Sequence, residues 1–332
     1  MPNNFLVASL FTLAAIASAP TFAQQPSAAT PVATRIETFV YKRVGDLAIQ
    51  ADVIAVDLKP NASRPVVVWI HGGALINGYR TGVPSWMIGE FLPRGYAIVS
   101  IDYRLAPETK LPAIVEDVVD AFTWIRTDGQ KLFAADPARI AVVGGSAGGY
   151  LALTTGIQVT PKPVALVSLW GYGDLGADWT HEVSKYPRHN VEQKTTPEEA
   201  ARVELGPKVA DSRERKGDGG AVYQYSRRNG NWANVVSGWD PNTEAEKFRP
   251  YMPERNVTAD YPPTFLIHGD ADTDVPYACS TRMAEQLKQF NVPHRLISFP
   301  GAEHGLPNAD RARVDAAYRE AAAFVIERMK KL

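Results

Sequence analysis

Ser146 interrupts the run from Arg139 to Gly149, Arg-Ile-Ala-Val-Val-Gly-Gly-Ser-Ala-Gly-Gly, where a short apolar stretch stops at a serine enclosed by glycines. The uniformly apolar residues 140–143 predict a strand buried on both faces, and the Ala-Leu-rich residues from Tyr150 onward predict a helix directly after the turn. The spacing Gly144-x-Ser146-x-Gly148 suits a tight strand-to-helix turn, because side chains at 144 and 148 would collide with neighbouring backbone. A serine so placed projects Oγ outward near the positive end of a helix, where the following amide can stabilise an oxyanion. A dinucleotide fingerprint would need Gly at 144, 146 and 149 and an acid about 20 residues later. Position 146 is Ser, residues 164–170 hold no acid, and the Gly-Lys-Ser/Thr of a P-loop is absent. The motif alone leaves a nucleophile or a plain structural turn.

Elements that can position this serine alternate along the chain. Residues 38–43 and 48–56 predict two strands joined at Gly45-Asp46, an antiparallel hairpin at a sheet edge. Residues 65–70 predict a central strand that ends in His71-Gly72-Gly73-Ala74, and residues 96–101 another that ends in Asp102-Tyr103-Arg104-Leu105-Ala106-Pro107. Ile114, Val118, Ala121, Trp124 and Ile125 recur at helical spacing, so residues 112–127 predict an amphipathic helix with Glu116, Asp117 and Asp120 outward. After the serine turn come apolar strands at 164–170 and 263–267, a helix at 277–290, a strand at 294–299 and an Ala-rich helix at 310–330. Strands alternating with helices imply an α/β fold with a mostly parallel sheet covered on both faces.

Residues 171–261 break this rhythm with a polar, aromatic-containing stretch far longer than an ordinary connection. It predicts a helix at 197–204, a charged Gly-rich piece at 213–220 and a shorter helix after Asp240-Pro241. We read it as an inserted cap over the strand ends within a catalytic domain spanning 36–332. Its aromatics, among them Tyr172, Trp179, Trp232 and Trp239, either line an acyl or aryl pocket or form the core of the cap. Trp86, just past the His71-Gly72-Gly73 loop, has the same two readings.

With 35 basic and 36 acidic residues among 332, a net charge of −1 favours neither nucleic acid nor an anionic membrane as partner. Residues 5–19 are apolar and end in small residues before Thr21-Phe22-Ala23-Gln24, which predicts a signal peptide, 1–23, cleaved after Ala23, although no Lys or Arg precedes it. Pro20 interrupts the run too early for a spanning helix, so no stable membrane insertion is expected and the chain is expected to be secreted or periplasmic. Residues 24–35 predict a disordered tether. Cys279 is the single cysteine; it can form no intrachain disulfide and reads as a packing residue.

Parallel sheets gather functional groups at the carboxyl ends of their strands. Ser146, Asp272 and His304 are expected to meet there, in that chain order. The chain resembles the α/β-hydrolase superfamily, in particular esterases and lipases of the hormone-sensitive-lipase-like group and secreted carbohydrate-ester esterases. His71-Gly72-Gly73-Ala74, Asp102 to Pro107, Gly144-Gly145-Ser146-Ala147-Gly148, His268-Gly269-x-x-Asp272 and Glu303-His304-Gly305 carry the resemblance, which runs from about Val40 to the C-terminus outside the insertion.

That resemblance implies Ser146 as nucleophile, His304 as general base and Asp272 as its orienting acid, chosen by the family pattern over Asp270 and Asp274. It implies an oxyanion hole of the Gly72, Gly73 and Ala147 amides, with Ala74 where a third glycine often stands. His71 reads as a structural pin for its loop, Tyr103 as a hydrogen-bonding partner near it, and Asp102 and Arg104 as braces beneath. Trp86, Tyr103, Trp170 and Tyr172 are candidate substrate contacts. His181, His189 and His294 show no metal-ligand spacing, the Asp270/Asp272/Asp274 run lacks the Gly and Glu of an EF-hand, and Glu303 reads as a solvated turn residue. The expected activity is hydrolysis of small carboxylic esters through an acyl-enzyme on Ser146, with no metal or organic cofactor. The alternatives are a serine peptidase of the prolyl-oligopeptidase type, which the His268-Gly269-x-x-Asp272 segment also resembles, and a non-catalytic hydrolase-fold binding protein. Short acyl, feruloyl or acetyl carbohydrate, and aromatic esters all remain open as substrates.

Overall fold

A computed structural model describes residues 34–58, 62–190 and 195–330. The expected signal peptide and nearly all of the expected tether lie outside the described residues; Arg35, the tether's last residue, already opens the first strand.

Strands β1 (Arg35–Val44), β2 (Leu47–Ala55), β3 (Arg64–Ile70), β4 (Ala97–Ile101), β5 (Ala135–Gly145), β6 (Leu166–Leu169), β7 (Thr264–Gly269) and β8 (His294–Phe299) form one sheet in the order β1-β2-β4-β3-β5-β6-β7-β8. The β1–β2 hairpin is antiparallel, β2 runs antiparallel to β4, and every later pairing is parallel. The continuous apolar runs of β4 and β7 are wholly buried, whereas the mixed sequence of β1 leaves it largely exposed at the edge. Register decides where the chemistry collects. Ile70 pairs with Gly144, so the loop leaving β3 lies beside the turn leaving β5.

Helices α1 (Ser85–Phe91), α2 (Leu111–Thr127), α3 (Gly129–Phe133), α4 (Ala147–Gln158), α5 (Pro197–Glu204), α6 (Gly219–Asn229), α7 (Trp232–Ser237), α8 (Ala245–Phe248), α9 (Ala278–Gln289) and α10 (Arg311–Lys330) fill the connections. One apolar cluster lies under α2, α4 and α9, and a second lies under α1 and α10. The segment between β6 and β7 adds no separate core. Leu175, Val222, Trp232 and Phe248 join the cluster that α2 and α4 cover.

Asp117 corrects the outward face expected for α2: it is fully buried. Arg104 Nη2 lies 2.6 Å and Lys42 Nζ 2.8 Å from its carboxylate, because β1 and the strand end after β4 deliver two cations to that helix face. Lys42 also reaches Glu116 at 3.0 Å and Asp120 at 2.6 Å, so this group of carboxylates is already neutralised by protein cations. Helix α6 is the other departure. It starts at Gly219, inside the charged Gly-rich piece where no helix is predicted, because Asp218 accepts from the Ala221 amide at 3.0 Å and caps it.

Candidate active site

The turn from β5 into α4 holds Ser146 at φ 56° and ψ −120°, a backbone conformation that costs about 1–3 kcal/mol for a residue with a Cβ. Neighbouring glycines make it attainable. A Cβ on Gly144 would lie 2.0 Å from Gly148 O, and one on Gly148 would lie 2.0 Å from Ile70 O. The Ser146 amide donates to Leu169 O at 2.8 Å, tying the turn to β6.

Loops after β7 and β8 bring in the other two groups. His304 Nε2 is 3.0 Å from Ser146 Oγ, and His304 Nδ1 is 2.7 Å from Asp272 Oδ2. Asp272 Oδ1 accepts from the amides of Asp274 at 2.8 Å and Val275 at 2.9 Å. Burial raises the Asp272 carboxyl pKa, but hydrogen bonds and charge from His268 and His304 outweigh it and hold it at about 2. With Asp272 ionised, the His304 proton stays on Nδ1 and Nε2 keeps its lone pair for the serine hydroxyl. His268, quoted above only as a motif marker, proves to be a second partner of Asp272: its Nε2 faces Asp272 Oδ2 and Val275 O, each at 3.1 Å. Two acceptors at Nε2 put the proton there, so Nδ1 accepts from Ser280 Oγ at 2.7 Å. Asp270 is elsewhere, accepting from the Gly301 amide at 2.6 Å.

Gly72 lies against the serine. A Cβ there would meet Gly145 O at 2.7 Å and Ser146 Cβ at 3.1 Å. Gly73, at φ +113°, would place a Cβ 2.1 Å from Asn77 O. Among the described residues none accepts from the amides of Gly72, Gly73 or Ala147, so these donors are free. His71 braces the loop: its Nδ1 donates to Gly72 O at 2.8 Å, its ring stacks on Tyr103 at 4.3 Å, and its carbonyl accepts from the Tyr103 hydroxyl at 3.0 Å. Burial pushes the His71 imidazole down to about 4, which keeps it neutral beneath the free donors.

Ala74 and Leu75 follow at φ 58° and 62°, both left-handed. Three contacts from distant residues hold them there: Trp232 Nε1 donates to Ala74 O at 3.1 Å, the Ala106 amide to Leu75 O at 2.8 Å, and Arg215 Nη1 to Ile76 O at 2.5 Å. Arg215 is itself fixed by Glu108 at 2.7 Å in a fully buried ion pair. Nothing local in the sequence marks Trp232, Arg215 or Glu108 as supports of this loop. Ala74→Gly removes the left-handed Cβ penalty and is expected to raise unfolding stability by about 1 kcal/mol in urea; a less stable variant would show that Ala74 carries no strain.

Comparison with known proteins bears on the fold. A family profile described as BD-FAE matches residues 53–202, and one described as Prolyl oligopeptidase family matches residues 222–332. Esterase LipC of Mycobacterium tuberculosis is 28% identical over 267 residues, which cover 80% of this chain and 59% of that protein. An acetyl ester-xyloside bifunctional hydrolase from Caldicellulosiruptor lactoaceticus superposes with a TM-score of 0.64 at 20% identity, over 90% of this chain and 98% of its own. Thermogutta terrifontis esterase 2 superposes with a TM-score of 0.60 at 21% identity, over 88% and 94%. The chain has the α/β-hydrolase fold.

The aromatic residues around this site divide clearly. Trp86 stacks on Tyr318 of α10 at 5.0 Å and packs in the cluster under α1, so it is a packing residue and not a substrate contact. Tyr103 is fully buried under the His71 loop. Tyr172 is buried and stacked on Tyr150 at 4.9 Å, with Trp179 and Trp232 edge-on to it. The insertion's aromatics therefore serve mainly to pack it into the cluster that α2 and α4 cover. Trp170 differs: half-buried at φ 41°, it stands edge-on to His304 at 6.3 Å.

Among the polar residues Glu303 departs from expectation, and His189 proves to be a partner of Asp274. Glu303 is no solvated turn residue; it accepts from Thr273 Oγ1 at 2.6 Å, the His304 amide at 3.0 Å and Arg188 Nη1 at 3.1 Å. His189 is fully buried with both ring nitrogens engaged, Nδ1 with Ser184 Oγ at 2.6 Å and Nε2 with Asp274 Oδ1 at 2.9 Å.

Proposed function

We propose that the chain is a serine carboxylesterase that transfers the acyl group of a small ester to Ser146 and then to water. The observation that carries this reading is the unbroken contact from Ser146 Oγ through His304 to Asp272, at 3.0 and 2.7 Å, beside three unpaired amides. As His304 Nε2 takes the hydroxyl proton, Oγ bonds the ester carbon and the carbonyl oxygen becomes an oxyanion among the amides of Gly72, Gly73 and Ala147. Collapse of the adduct returns the proton from Nε2 to the departing alkoxide. Water, deprotonated by the same imidazole, releases the acid by the reverse geometry. The match to Esterase LipC supports an ester as the substrate.

The test is turnover of p-nitrophenyl acetate together with labelling of Ser146 by a fluorophosphonate, both lost in Ser146→Ala. A peptidase is the second reading, favoured by the prolyl oligopeptidase match over the residues that carry Asp272 and His304. Cleavage of peptide anilides with no ester turnover would establish it over the esterase.

We further propose export, supported by the apolar run and Ala23-Gln24 junction. The mature chain in the periplasm or medium is expected to begin at Gln24 by intact mass; an uncleaved cytoplasmic chain would end this proposal.

A further inference from the structure

Two residues past Asp272, a second carboxylate approaches the same imidazole. Asp274 Oδ2 lies 3.8 Å from His304 Nε2, the nitrogen that faces Ser146. Its Oδ1 accepts from His189 Nε2 at 2.9 Å and from the Tyr223 hydroxyl. Arg188 Nη2 stands 3.5 Å from Oδ2. His189 is oriented in turn by Ser184 Oγ at its Nδ1. Ser184, Arg188, His189 and Tyr223 all come from the insertion, whereas Asp274 comes from the loop after β7. Burial alone would push the Asp274 carboxyl up, yet the His189 hydrogen bond and the neighbouring charges hold it well below the usual carboxylate range. It is therefore an anion whenever the imidazole works.

A latch between insertion and sheet would need only the contacts at Oδ1. The remaining oxygen lies between Arg188 Nη2 at 3.5 Å and His304 Nε2 at 3.8 Å, and the geometry points to a second role: we propose that Asp274 is a positioning residue that stabilises the His304 imidazolium from its Nε2 side, with the insertion holding the carboxylate in place. This rests on the acyl-enzyme reading above. When Ser146 Oγ bonds the ester carbon, the carbonyl π pair moves to oxygen and the hydroxyl proton moves to Nε2, which gives the ring a full positive charge. Asp272 neutralises that charge at Nδ1; Asp274 faces it at the nitrogen that has just gained the proton. An opposite charge within about 4–6 Å favours the charged form.

The charged and titratable groups facing this ring are Asp272, Asp274 and Glu303, which accepts the His304 amide. Arg188 bridges Asp274 and Glu303, and His189 and Tyr223 lie behind Asp274. Arg188 is the one cation bonded to the two outer carboxylates among the described residues, and its side chain is 38% exposed.

The experiment is the pH profile of kcat/KM for p-nitrophenyl acetate in the full chain. In Asp274→Asn the acidic limb is expected to move to lower pH by on the order of one unit, and the plateau to fall about tenfold, the rate equivalent of one unit. Arg188→Gln should do the opposite, because removing the cation leaves the two carboxylates less screened: its acidic limb moves to higher pH. Arg188 is exposed enough for this variant to fold, so it carries the test if Asp274→Asn does not. A latch alone predicts a lower melting temperature with both limbs unmoved, and that result, or limbs that move in the same direction, overturns the assignment. If Ser146→Ala still turns over ester, the acyl-enzyme reading fails; if it is inactive while both limbs stay fixed, only the role of Asp274 falls.

Discussion

Ser146→Ala is expected to lower kcat for p-nitrophenyl acetate by at least about 10⁴, with KM nearly unchanged. Only Oγ is lost. The strained φ of 56° is already borne by a residue with a Cβ, and the Ser146 amide keeps its bond to Leu169 O, so the turn and the fold survive. Whatever rate remains comes from the amides of Gly72, Gly73 and Ala147, which can still polarise a bound ester toward attack by water. Steady-state kinetics with a melting curve decide the matter: a folded variant with undiminished turnover would remove Ser146 from the chemistry and with it the acyl-enzyme.

Asp272→Asn is expected to cost about 10⁴ in kcat, for a reason specific to this carboxylate's surroundings. Oδ1 accepts two backbone amides, so an asparagine must leave its carbonyl oxygen there. Its NH₂ group then faces His304 Nδ1 and His268 Nε2, the atoms that Oδ2 now receives. A donor opposite Nδ1 drives the His304 proton to Nε2, where it blocks acceptance from Ser146. The fold should change little, since His268 Nε2 keeps Val275 O as acceptor at 3.1 Å. A folded Asp272→Asn that loses less than tenfold in kcat would show that another group orients the base.

How far the sequence carries such arguments depends on the range of the contact. Residues 140–143 and 263–267 announce their strands because burial on both faces demands unbroken apolar runs, and strand ends in a parallel sheet share one edge. The meeting of Ser146, Asp272 and His304 was legible for that reason. Asp117 was misread because its outward helical phase says nothing of Lys42 on β1, whose ammonium arrives through pairing of the distant hairpin. The supports of the left-handed Ala74-Leu75 backbone were invisible for the same reason. Arg215 and Glu108 stand 107 positions apart, and no local periodicity connects them. Trp232 was legible as an aromatic but not as a donor to Ala74 O, since a side chain's apolar mass is read from composition while the target of its N–H depends on tertiary packing. Helix α6 was missed because two glycines at its start weigh against a helix until a cap is counted.

The grip of Trp232 and Arg215 on the loop that carries the free amides bears on how such proteins diversify. A segment that merely roofed the serine could be exchanged between relatives like a cassette, altering which esters enter while the reaction centre stayed as it was. Here the segment is also scaffolding for the centre. A graft from another member must bring its own indole and guanidinium to the same two carbonyls, or keep these, before any new preference can be expressed. Specificity and competence are inherited together, which narrows the set of insertions this sheet can accept.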